Sequence, residues 1–369
     1  MTVDAPFAGR MNALRSKFAD LQVDALLVSA EVNVRYLSGF TGDSSYLLIS
    51  TDDAWMISDR RYENQLQRQC PQLSVWIRGP ERTTLDLVAE AIASLPGDCQ
   101  RLGLESERVS WRMQQQLAGL IHPRSLVATE QVVEQLRAIK DEGEIASPRR
   151  AVSIAEQSFL AVKEELACDC SERELAFALE SNIRSLGGDG CGFAPIVACD
   201  AHSALPHAQP GQRTLGQSRV LLIDWGAVFG GYTSDITRTL HVGAASERFG
   251  KVYALVLEAQ RVAIEAMRPG IALADIDRIA REKIAKAGLG NYFGHGLGHG
   301  IGLEIHEVTR LSAIASGCLE AGMVLTVEPG VYLPEEFGVR IEDDILVTQT
   351  GHEVLSQLPK GLEETAIFL

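Results

Sequence analysis

The spacing of hydrophobic positions changes about a third of the way along the chain. Up to about residue 130, short aliphatic or β-branched runs alternate with segments in which apolar residues recur every three or four positions. This alternation is typical of an α/β domain. The predicted strands are DALLVSA (24–30), YLLIS (46–50), AWMIS (54–58), LSVWI (73–77) and RLGLES (101–106).

From about Val132 the apolar pattern indicates longer helices, and Pro148 is predicted to break or restart the first of them. A second helix opens with a capping box at Ser171 and Glu174 and precedes a β-rich run, 218–243. The same order then recurs and ends in another β-rich run, 322–348. We therefore predict an α/β domain over residues 1–130 and an α+β domain over residues 131–369, built of two similar halves that face each other across a site.

Composition narrows the classes of function. The chain has 369 residues, 46% hydrophobic and 22% charged, which is typical of a globular protein large enough for two domains. A net charge of −15 without an evident basic patch argues against binding to nucleic acid or to an anionic membrane. No apolar run approaches the ~20 residues of a membrane span, and the seven cysteines are scattered, so we expect a cytoplasmic protein with reduced thiols.

Two aspartates stand at related places in the first β-rich run. A two-residue turn at Phe229 and Gly230 would set Asp224 directly opposite Asp235 on adjacent strands. Opposed residues share one face with Cβ atoms ~4.5–5.5 Å apart, where two like charges are destabilising unless a cation lies between them. The spacing therefore predicts a metal site.

The second β-rich run repeats this arrangement with glutamates. A turn near Glu335 would set Glu328 opposite Glu342. Four carboxylates with one imidazole form a set of hard oxygen ligands and one nitrogen donor. Two divalent ions would be needed to balance that much negative charge.

The stretch FGHGLGHGIGLEIHE (293–307) holds three of the eight histidines, His295, His299 and His306. Its glycines at 294, 296, 298, 300 and 302 permit a close backbone approach that a Cβ atom would obstruct. It contains neither HExxH nor GxGxxG, and the chain contains no GxSxG. A zincin, a dinucleotide site and a serine nucleophile therefore lack support.

Together these motifs resemble the pita-bread metallopeptidases, specifically the Xaa-Pro peptidases (aminopeptidase P and prolidase). The resemblance runs through IDWGAVFGGYTSDITRT (223–239), GHGLGHGIGLEIHE (294–307), TVEPGVY (326–332) and VRIEDD (339–344). NVRYLSGFTGDSS (33–45) and ISDRRYENQ (57–65) are similar to the creatinase/prolidase-like N-terminal domain of small bacterial members. The resemblance implies a pita-bread catalytic domain whose dinuclear metal centre is held by Asp224, Asp235, His299, Glu328 and Glu342.

The resemblance also implies roles for individual side chains. Asp235 and Glu342 would bridge the metals, and Glu328 would accept a proton from water. Arg340 would orient Glu342 without binding a metal itself. His306 would stabilise the oxyanion together with a metal. Mn²⁺ is the expected metal, and Co²⁺ or Zn²⁺ would also suit a carboxylate-rich site.

Substrate binding is expected to involve histidines from two segments. His295 and His306 would line the pocket, joined by His207 from SALPHAQP (203–210). His202 lies in the nearby segment ACDAHSALPHA (198–208), which departs from the glycine-containing loop of similar proteins. A solvated loop histidine is the expected state of His202, with a pocket residue as the alternative.

The predicted activity is hydrolysis of the bond before proline by a homodimer, releasing the N-terminal residue as an aminopeptidase P does. The alternative, a prolidase, must also recognise the free carboxylate of an Xaa-Pro dipeptide, which needs a nearby cation. Arg340 is the only basic residue within the glutamate motifs TVEPGVY and VRIEDD and is already assigned to Glu342. A creatinase, which uses no metal, is disfavoured by the complete ligand set. A non-catalytic peptide- or protein-binding module is a further alternative, and it would be recognised by its failure to take up metal.

Overall fold

The chain consists of two compact units. The computed structural model describes residues 5–369. The first unit ends at Arg137 and the second begins at Ala138, whereas the sequence placed the boundary near residue 130. The difference arises because the helical pattern that begins at Val132 belongs to the last helix of the first unit.

A mixed β-sheet organises the N-terminal unit. Its strands are β1 (Ala25–Val28), β2 (Tyr46–Ser50), β3 (Ala54–Asp59), β4 (Ser74–Arg78), β5 (Arg101–Glu105) and β6 (Ser125–Thr129). They are ordered β4-β3-β2-β1-β5-β6, with β1 parallel to β5 and antiparallel to β2. The first five strands match the predicted ones. The sixth was missed because it is an edge strand with mostly exposed or half-buried side chains, so its apolar pattern is weak.

Helices in the N-terminal unit precede, connect and follow these strands. They are α1 (Ala5–Arg15), α2 (Phe18–Leu21), α3 (Glu31–Ser38), α4 (Glu63–Gln69), α5 (Thr84–Ala93), α6 (Trp111–Ile121) and α7 (Val132–Ala138). Leu27 and Leu48 of the sheet lie in one buried apolar cluster with Val88 of α5 and Leu117 of α6. This burial of apolar side chains from both layers gives the unit its own core.

Longer helices belong to the C-terminal unit. They are α8 (Glu142–Glu164), α9 (Glu172–Ser185), α10 (Glu247–Ala266) and α11 (Leu273–Lys286). Helix α8 continues through Pro148, and the break lies before it, where Asp141 and Glu144 form a capping box. The predicted capping box at Ser171 and Glu174 is present at the start of α9. Among residues 5–369, no helix is both long enough and apolar enough to cross a membrane.

Antiparallel hairpins follow each pair of these helices. The strands are β7 (Gly190–Cys191), β8 (Ile196–Cys199), β9 (Val220–Trp225), β10 (Ala227–Phe229), β11 (Tyr232–Thr233), β12 (Ile236–Val242), β13 (Gly298–His299), β14 (Arg310–Leu311), β15 (Val324–Val327), β16 (Gly330–Leu333), β17 (Phe337–Arg340), β18 (Asp343–Val347), β19 (His352–Val354) and β20 (Ala366–Ile367). Two sheets are ordered β20-β12-β9-β8 and β15-β18-β19. A bridge between Thr237 and Glu342 joins the two hairpins, so the repeated order predicted from the sequence brings two halves together.

The first hairpin has a different register from the one predicted. Asp224 of β9 lies opposite Thr237 of β12, not opposite Asp235. The turn is formed by Gly230 and Gly231, both with positive φ, one residue later than expected. Asp235 precedes Thr237 by two residues, and side chains two apart on a strand share a face. The two aspartates are therefore diagonal neighbours on one face instead of a direct pair.

The second hairpin has the predicted register. Val327 of β15 lies opposite Asp343 of β18, and the same pairing continues in β16 and β17. Glu328 and Glu342 consequently stand opposite each other between the two pairs of strands. Glu335 lies in the connecting turn with a φ of 63°.

The end of β9 is fixed by its buried tryptophan. Trp225 stacks on Phe159 of α8, with ring centroids 4.7 Å apart, and its Nε1–H donates to the carbonyl of Ala155 at 2.9 Å. A buried indole with its polar atom satisfied contributes both packing and orientation. Because consecutive side chains on a strand point to opposite faces, this contact directs the side chain of Asp224 away from α8.

Candidate metal centre

A cavity of about 650 Å³ in the C-terminal unit collects the predicted site residues. Its lining includes Asp224, Asp235, His299, Glu328, Glu342, His207, His295, His306 and Arg340. Phe193, Ile196 and Ile305 form an apolar part of the wall. A polar cluster at one side and an apolar surface at the other are typical of a small-molecule or peptide site.

Three of the predicted ligands converge closely. One side-chain oxygen or nitrogen from each of Asp235, His299 and Glu342 lies within 4.8 Å of the others. The Nε2 atom of His299 is 3.6 Å from Asp235 Oδ2 and 3.5 Å from Glu328 Oε1. These separations exceed a normal hydrogen bond, so the side chains surround a common point without bonding directly to one another.

His299 presents the correct nitrogen to that point. Its Nδ1 atom lies 3.1 Å from the carbonyl of Gly300, which can only accept a hydrogen bond, so Nδ1 carries the proton. Burial lowers the pKa of His299 to about 3, and the neighbouring His306 contributes to this shift. The neutral ring therefore directs the lone pair of Nε2 toward the carboxylates, the arrangement used by histidine when it binds a metal.

The aspartates carry buried oxygen atoms that lack a partner. Oδ1 of Asp224 and Oδ1 of Asp235 are buried and accept no hydrogen bond from any group in residues 5–369. An unsatisfied buried polar atom costs ~1–3 kcal/mol, and more when the group is charged. A bound cation would satisfy both oxygens, so these atoms fit a metal site.

Electrostatic repulsion within the cluster leads to the same conclusion. Burial, followed by the charges of Glu342 and Asp224, raises the pKa of Asp235 well above its usual value. Burial and nearby acids likewise raise the pKa of Glu342, and burial raises that of Glu328 to about 8. Divalent cations would reverse these shifts by stabilising the ionised carboxylates. The donor set therefore fits a pair of divalent ions.

Arg340 has a different immediate partner from the one predicted. Its Nη2 donates to Oδ2 of Asp224, and its Nε donates to Oγ1 of Thr237 at 3.1 Å. The Thr237 hydroxyl in turn donates to Oε2 of Glu342 at 2.5 Å. Arg340 therefore holds Asp224 directly and reaches Glu342 only through Thr237, so its basic group links both hairpins.

A second chain of hydrogen bonds leads from Arg340 to His295. Nη1 of Arg340 donates to the hydroxyl of Tyr332 at 2.7 Å, and that hydroxyl lies 2.9 Å from Nε2 of His295. Since Nδ1 of His295 lies 2.7 Å from the carbonyl of Gly296, it carries the proton and Nε2 accepts from Tyr332. Both nitrogens of His295 are thus occupied, and its ring orientation is fixed within the cavity wall.

The other two predicted substrate histidines face the cavity more openly. His306 is exposed, and its ring meets that of His299 edge to face with centroids 4.4 Å apart. His207 is also exposed at the cavity surface. His202 is neither solvated nor part of the cavity lining, because its Nδ1 bonds the buried carboxylate of Glu172 at 2.9 Å. The expectation of a solvated loop histidine was therefore wrong.

Three residues were not identified from the sequence: Arg310, which lines the cavity, and Tyr332 and Thr237, which bond to lining residues. Arg310 lines the cavity and lies directly opposite His299 in the β13–β14 pair. Tyr332 is four positions after Glu328, and Thr237 is two positions after Asp235, so strand periodicity would have placed each beside a predicted ligand. No motif in the sequence indicated Arg310, because its position in the cavity depends on the pairing of β13 with β14.

The glycines of the histidine stretch differ in how strictly they are required. A Cβ atom on Gly298 would lie 2.0 Å from the carbonyl oxygen of Thr326, whereas no described atom lies within 4 Å of a Cβ on Gly294. We expect Gly298→Ala to lower stability by at least ~2 kcal/mol through overpacking and to reduce metal content. Gly294→Ala is the matched control and should behave like the wild type. Thermal melting and metal analysis of both variants test this, and equal behaviour of the two would contradict the close approach.

Comparisons with known proteins agree with this architecture. Residues 146–349 match the family model for metallopeptidase family M24, and residues 10–139 match the creatinase/prolidase N-terminal domain. A solved Xaa-Pro dipeptidase from Bacillus anthracis is 36% identical, with 98% of this chain and 100% of that chain covered and a TM-score of 0.93.

Two further solved structures are similar over nearly the whole chain. An X-Pro aminopeptidase from Thermotoga maritima is 34% identical, with 96% of this chain and 100% of that chain covered and a TM-score of 0.87. A prolidase from Pyrococcus horikoshii is 33% identical, with 96% and 99% covered and a TM-score of 0.89. The predicted α/β N-terminal domain and pita-bread catalytic domain are confirmed. The chain belongs to metallopeptidase family M24 and is a metallopeptidase of the Xaa-Pro peptidase type.

Proposed function

We propose that the protein is an Xaa-Pro dipeptidase, or prolidase, which hydrolyses the single peptide bond of a dipeptide ending in proline. The observation that supports this most strongly is Arg310, which lies in the cavity opposite the metal-ligand candidate His299. A dipeptide carries its free carboxylate next to proline, only a few bonds from the bond to be cut. A guanidinium beside the metal centre is therefore well placed to bind it, and arginine pairs with carboxylates through two parallel hydrogen bonds.

This proposal replaces the aminopeptidase that the sequence alone favoured. That expectation depended on the absence of a free cation near the carboxylate motifs, since Arg340 was assigned elsewhere. Arg340 does contact Asp224, but Arg310 supplies a second cation on the cavity surface. Two of the three solved relatives described above are named as a dipeptidase or a prolidase, which also favours the shorter substrate.

The chain's own residues would divide the catalytic work. Two divalent ions, when bound by the five ligands, would supply Lewis acidity and an activated water. Glu328 would accept the proton of that water, and His306, exposed beside His299, would donate a hydrogen bond to the oxyanion formed at the scissile carbonyl. Arg340 would keep Asp224 and Glu342 in place on their two hairpins.

Recognition of the dipeptide would involve the remaining cavity residues. His207 would contact the substrate from the loop that follows β8, while His295, fixed by Tyr332, would shape the opposite wall. A bond before proline has no N–H, so the enzyme must recognise proline by shape and by its carboxylate. Mn²⁺ as the metal, a homodimer and a cytoplasmic location remain predictions supported by the ligand chemistry and the sequence.

Substrate length tests the proposal directly. We expect kcat/KM for Ala-Pro to exceed that for Ala-Pro-Ala by more than about tenfold in the presence of the same metal, which corresponds to ~1.4 kcal/mol of transition-state discrimination. The reason is that the carboxylate of Ala-Pro-Ala lies one residue further from Arg310. A tripeptide cleaved as well as or better than the dipeptide would instead identify an aminopeptidase.

Arg310→Met should remove most of this preference. A charge-assisted hydrogen bond contributes ~1.5–3 kcal/mol, so kcat/KM for Ala-Pro should fall by roughly 10- to 100-fold. Ala-Pro-amide, which lacks the carboxylate, serves as the matched substrate and should lose less than about threefold. Equal losses with Ala-Pro and with its amide would show that Arg310 acts on something other than the substrate carboxylate.

A further inference from the structure

A loop between β8 and β9 brings several residues to the cavity. Its segment Pro206–Pro210 lines the cavity and includes His207. In the middle of the loop, Oγ of Ser203 accepts a hydrogen bond from the N–H of Gly338 at 2.7 Å, and the carbonyl of Pro206 accepts one from Arg340 at 3.3 Å. The loop therefore reaches the metal centre, and its position affects the shape of the cavity.

One buried carboxylate is bonded by residues before and after this cavity-lining segment. Glu172, at the first turn of α9, is fully buried. Its Oε1 accepts a hydrogen bond from the N–H of Cys199 at 2.8 Å, and its Oε2 accepts one from the N–H of Gly211 at 2.8 Å. The backbone N–H of Glu172 also donates to the carbonyl of Arg213 at 3.0 Å. Glu172 thus holds the chain just before the loop and again just after the segment Pro206–Pro210.

His202 completes the surroundings of this carboxylate from within the loop. Its Nδ1 lies 2.9 Å from Oε1 and 3.0 Å from Oε2 of Glu172, and its side chain is only 12% exposed. Since an ionised carboxylate accepts hydrogen bonds only, Nδ1 must be the donor. His202 therefore adds a third hydrogen-bond donor, from within the loop, to a buried carboxylate that already accepts one backbone N–H at each oxygen.

We propose that Glu172 and His202 are positioning residues that together set the location of His207, and through it the affinity for the substrate. Neither lines the cavity, so both would act through the loop that carries His207. This inference deepens the proposed function, because it takes His207 to contact the peptide. It also gives a role to His202, whose surrounding segment departs from the glycine-containing loop expected for the family.

Substitutions at His202 separate this role from general stability. His202→Ala removes the donor to Glu172, while His202→Asn keeps an N–H at the same distance from the backbone as Nδ1. We expect His202→Ala to raise KM for Ala-Pro about five- to tenfold with a smaller change in kcat, and His202→Asn to restore KM to within about twofold of the wild type. His352→Ala is the matched control, because this half-buried histidine bonds the carbonyl of Met267, which lies outside the loop between β8 and β9. It should leave KM unchanged.

A double-mutant cycle shows whether His202 acts through His207. In a His207→Ala background, adding His202→Ala should raise KM by less than about twofold, because the residue it positions is already gone. The cycle is measured with whichever of Ala-Pro and Ala-Pro-Ala the wild type cleaves faster, so a wrong assignment of substrate length does not affect it. A KM for His202→Ala equal to that of the wild type, or effects that multiply fully in the double variant, would overturn the proposal.

Hydrogen–deuterium exchange provides a readout that does not depend on activity. Amides in residues 203–211 should exchange faster in His202→Ala than in the wild type, and those in His352→Ala should not. Unchanged exchange in this segment would overturn the proposal that Glu172 and His202 position the loop, even if activity were altered. If the wild type cleaved neither peptide, the proposed function would fail. Faster exchange in His202→Ala would still support the proposal that His202 positions the loop.

Discussion

Asp235→Asn is expected to reduce turnover of Ala-Pro by roughly 10³-fold or more, which corresponds to a loss of about 4 kcal/mol of transition-state stabilisation. The substitution removes one negative charge from the set of side chains that would hold two divalent ions, while the other four proposed ligands remain. In the metal-free protein the same change removes a carboxyl group whose ionised form is disfavoured, since burial, followed by the charges of Glu342 and Asp224, raises the pKa of Asp235. We therefore expect the metal-free variant to melt at a temperature equal to or above that of the metal-free wild type.

Asp275→Asn is the matched control for this experiment. Asp275 lies on the surface of α11, where it pairs with Arg278, and an exposed pair of this kind contributes little to stability. This variant should retain wild-type turnover and metal content. Wild-type turnover in Asp235→Asn would contradict the assignment of Asp235 as a ligand. A metal-free Asp235→Asn that melted far below the metal-free wild type would contradict the repulsion within the acidic cluster.

His306→Ala is expected to lower kcat by ~10²- to 10³-fold with metal content unchanged, as is typical when a hydrogen-bond donor to an oxyanion is lost. His306 is exposed in the cavity and contacts His299 through its ring edge, so it can reach a substrate carbonyl without being a ligand itself. The measurement combines steady-state kinetics with metal analysis of the same sample. Parallel losses of metal and activity would show that His306 helps to hold the metals.

The predictions from sequence succeeded where local geometry determines position. The second hairpin was predicted correctly because one turn near Glu335 sets the register of Glu328 and Glu342. The first hairpin was predicted with the wrong partner because two glycines follow each other at 230 and 231, and a shift of the turn by one residue changes every pairing. Asp224 and Asp235 still share one face of the hairpin, so the wrong register leaves the predicted metal site unchanged.

The features that the sequence did not reveal depend on contacts between distant segments. Arg310 becomes a cavity residue only because β14 pairs with β13 and places it opposite His299. His202 is buried only because α9 presents Glu172 to the loop. Pro148 was expected to interrupt a helix, but the capping box at Asp141 starts α8 before it. Local propensity carries no information about such tertiary partners.

Titration of the metal-free protein with Mn²⁺ tests whether the five side chains hold two divalent ions for peptide hydrolysis. Bound metal and the rate of Ala-Pro hydrolysis are followed in the same titration. We expect the metal-free protein to be inactive and activity to reach its maximum when two ions are bound per chain. Full activity without metal, or saturation of binding without any hydrolysis of proline peptides, would contradict it.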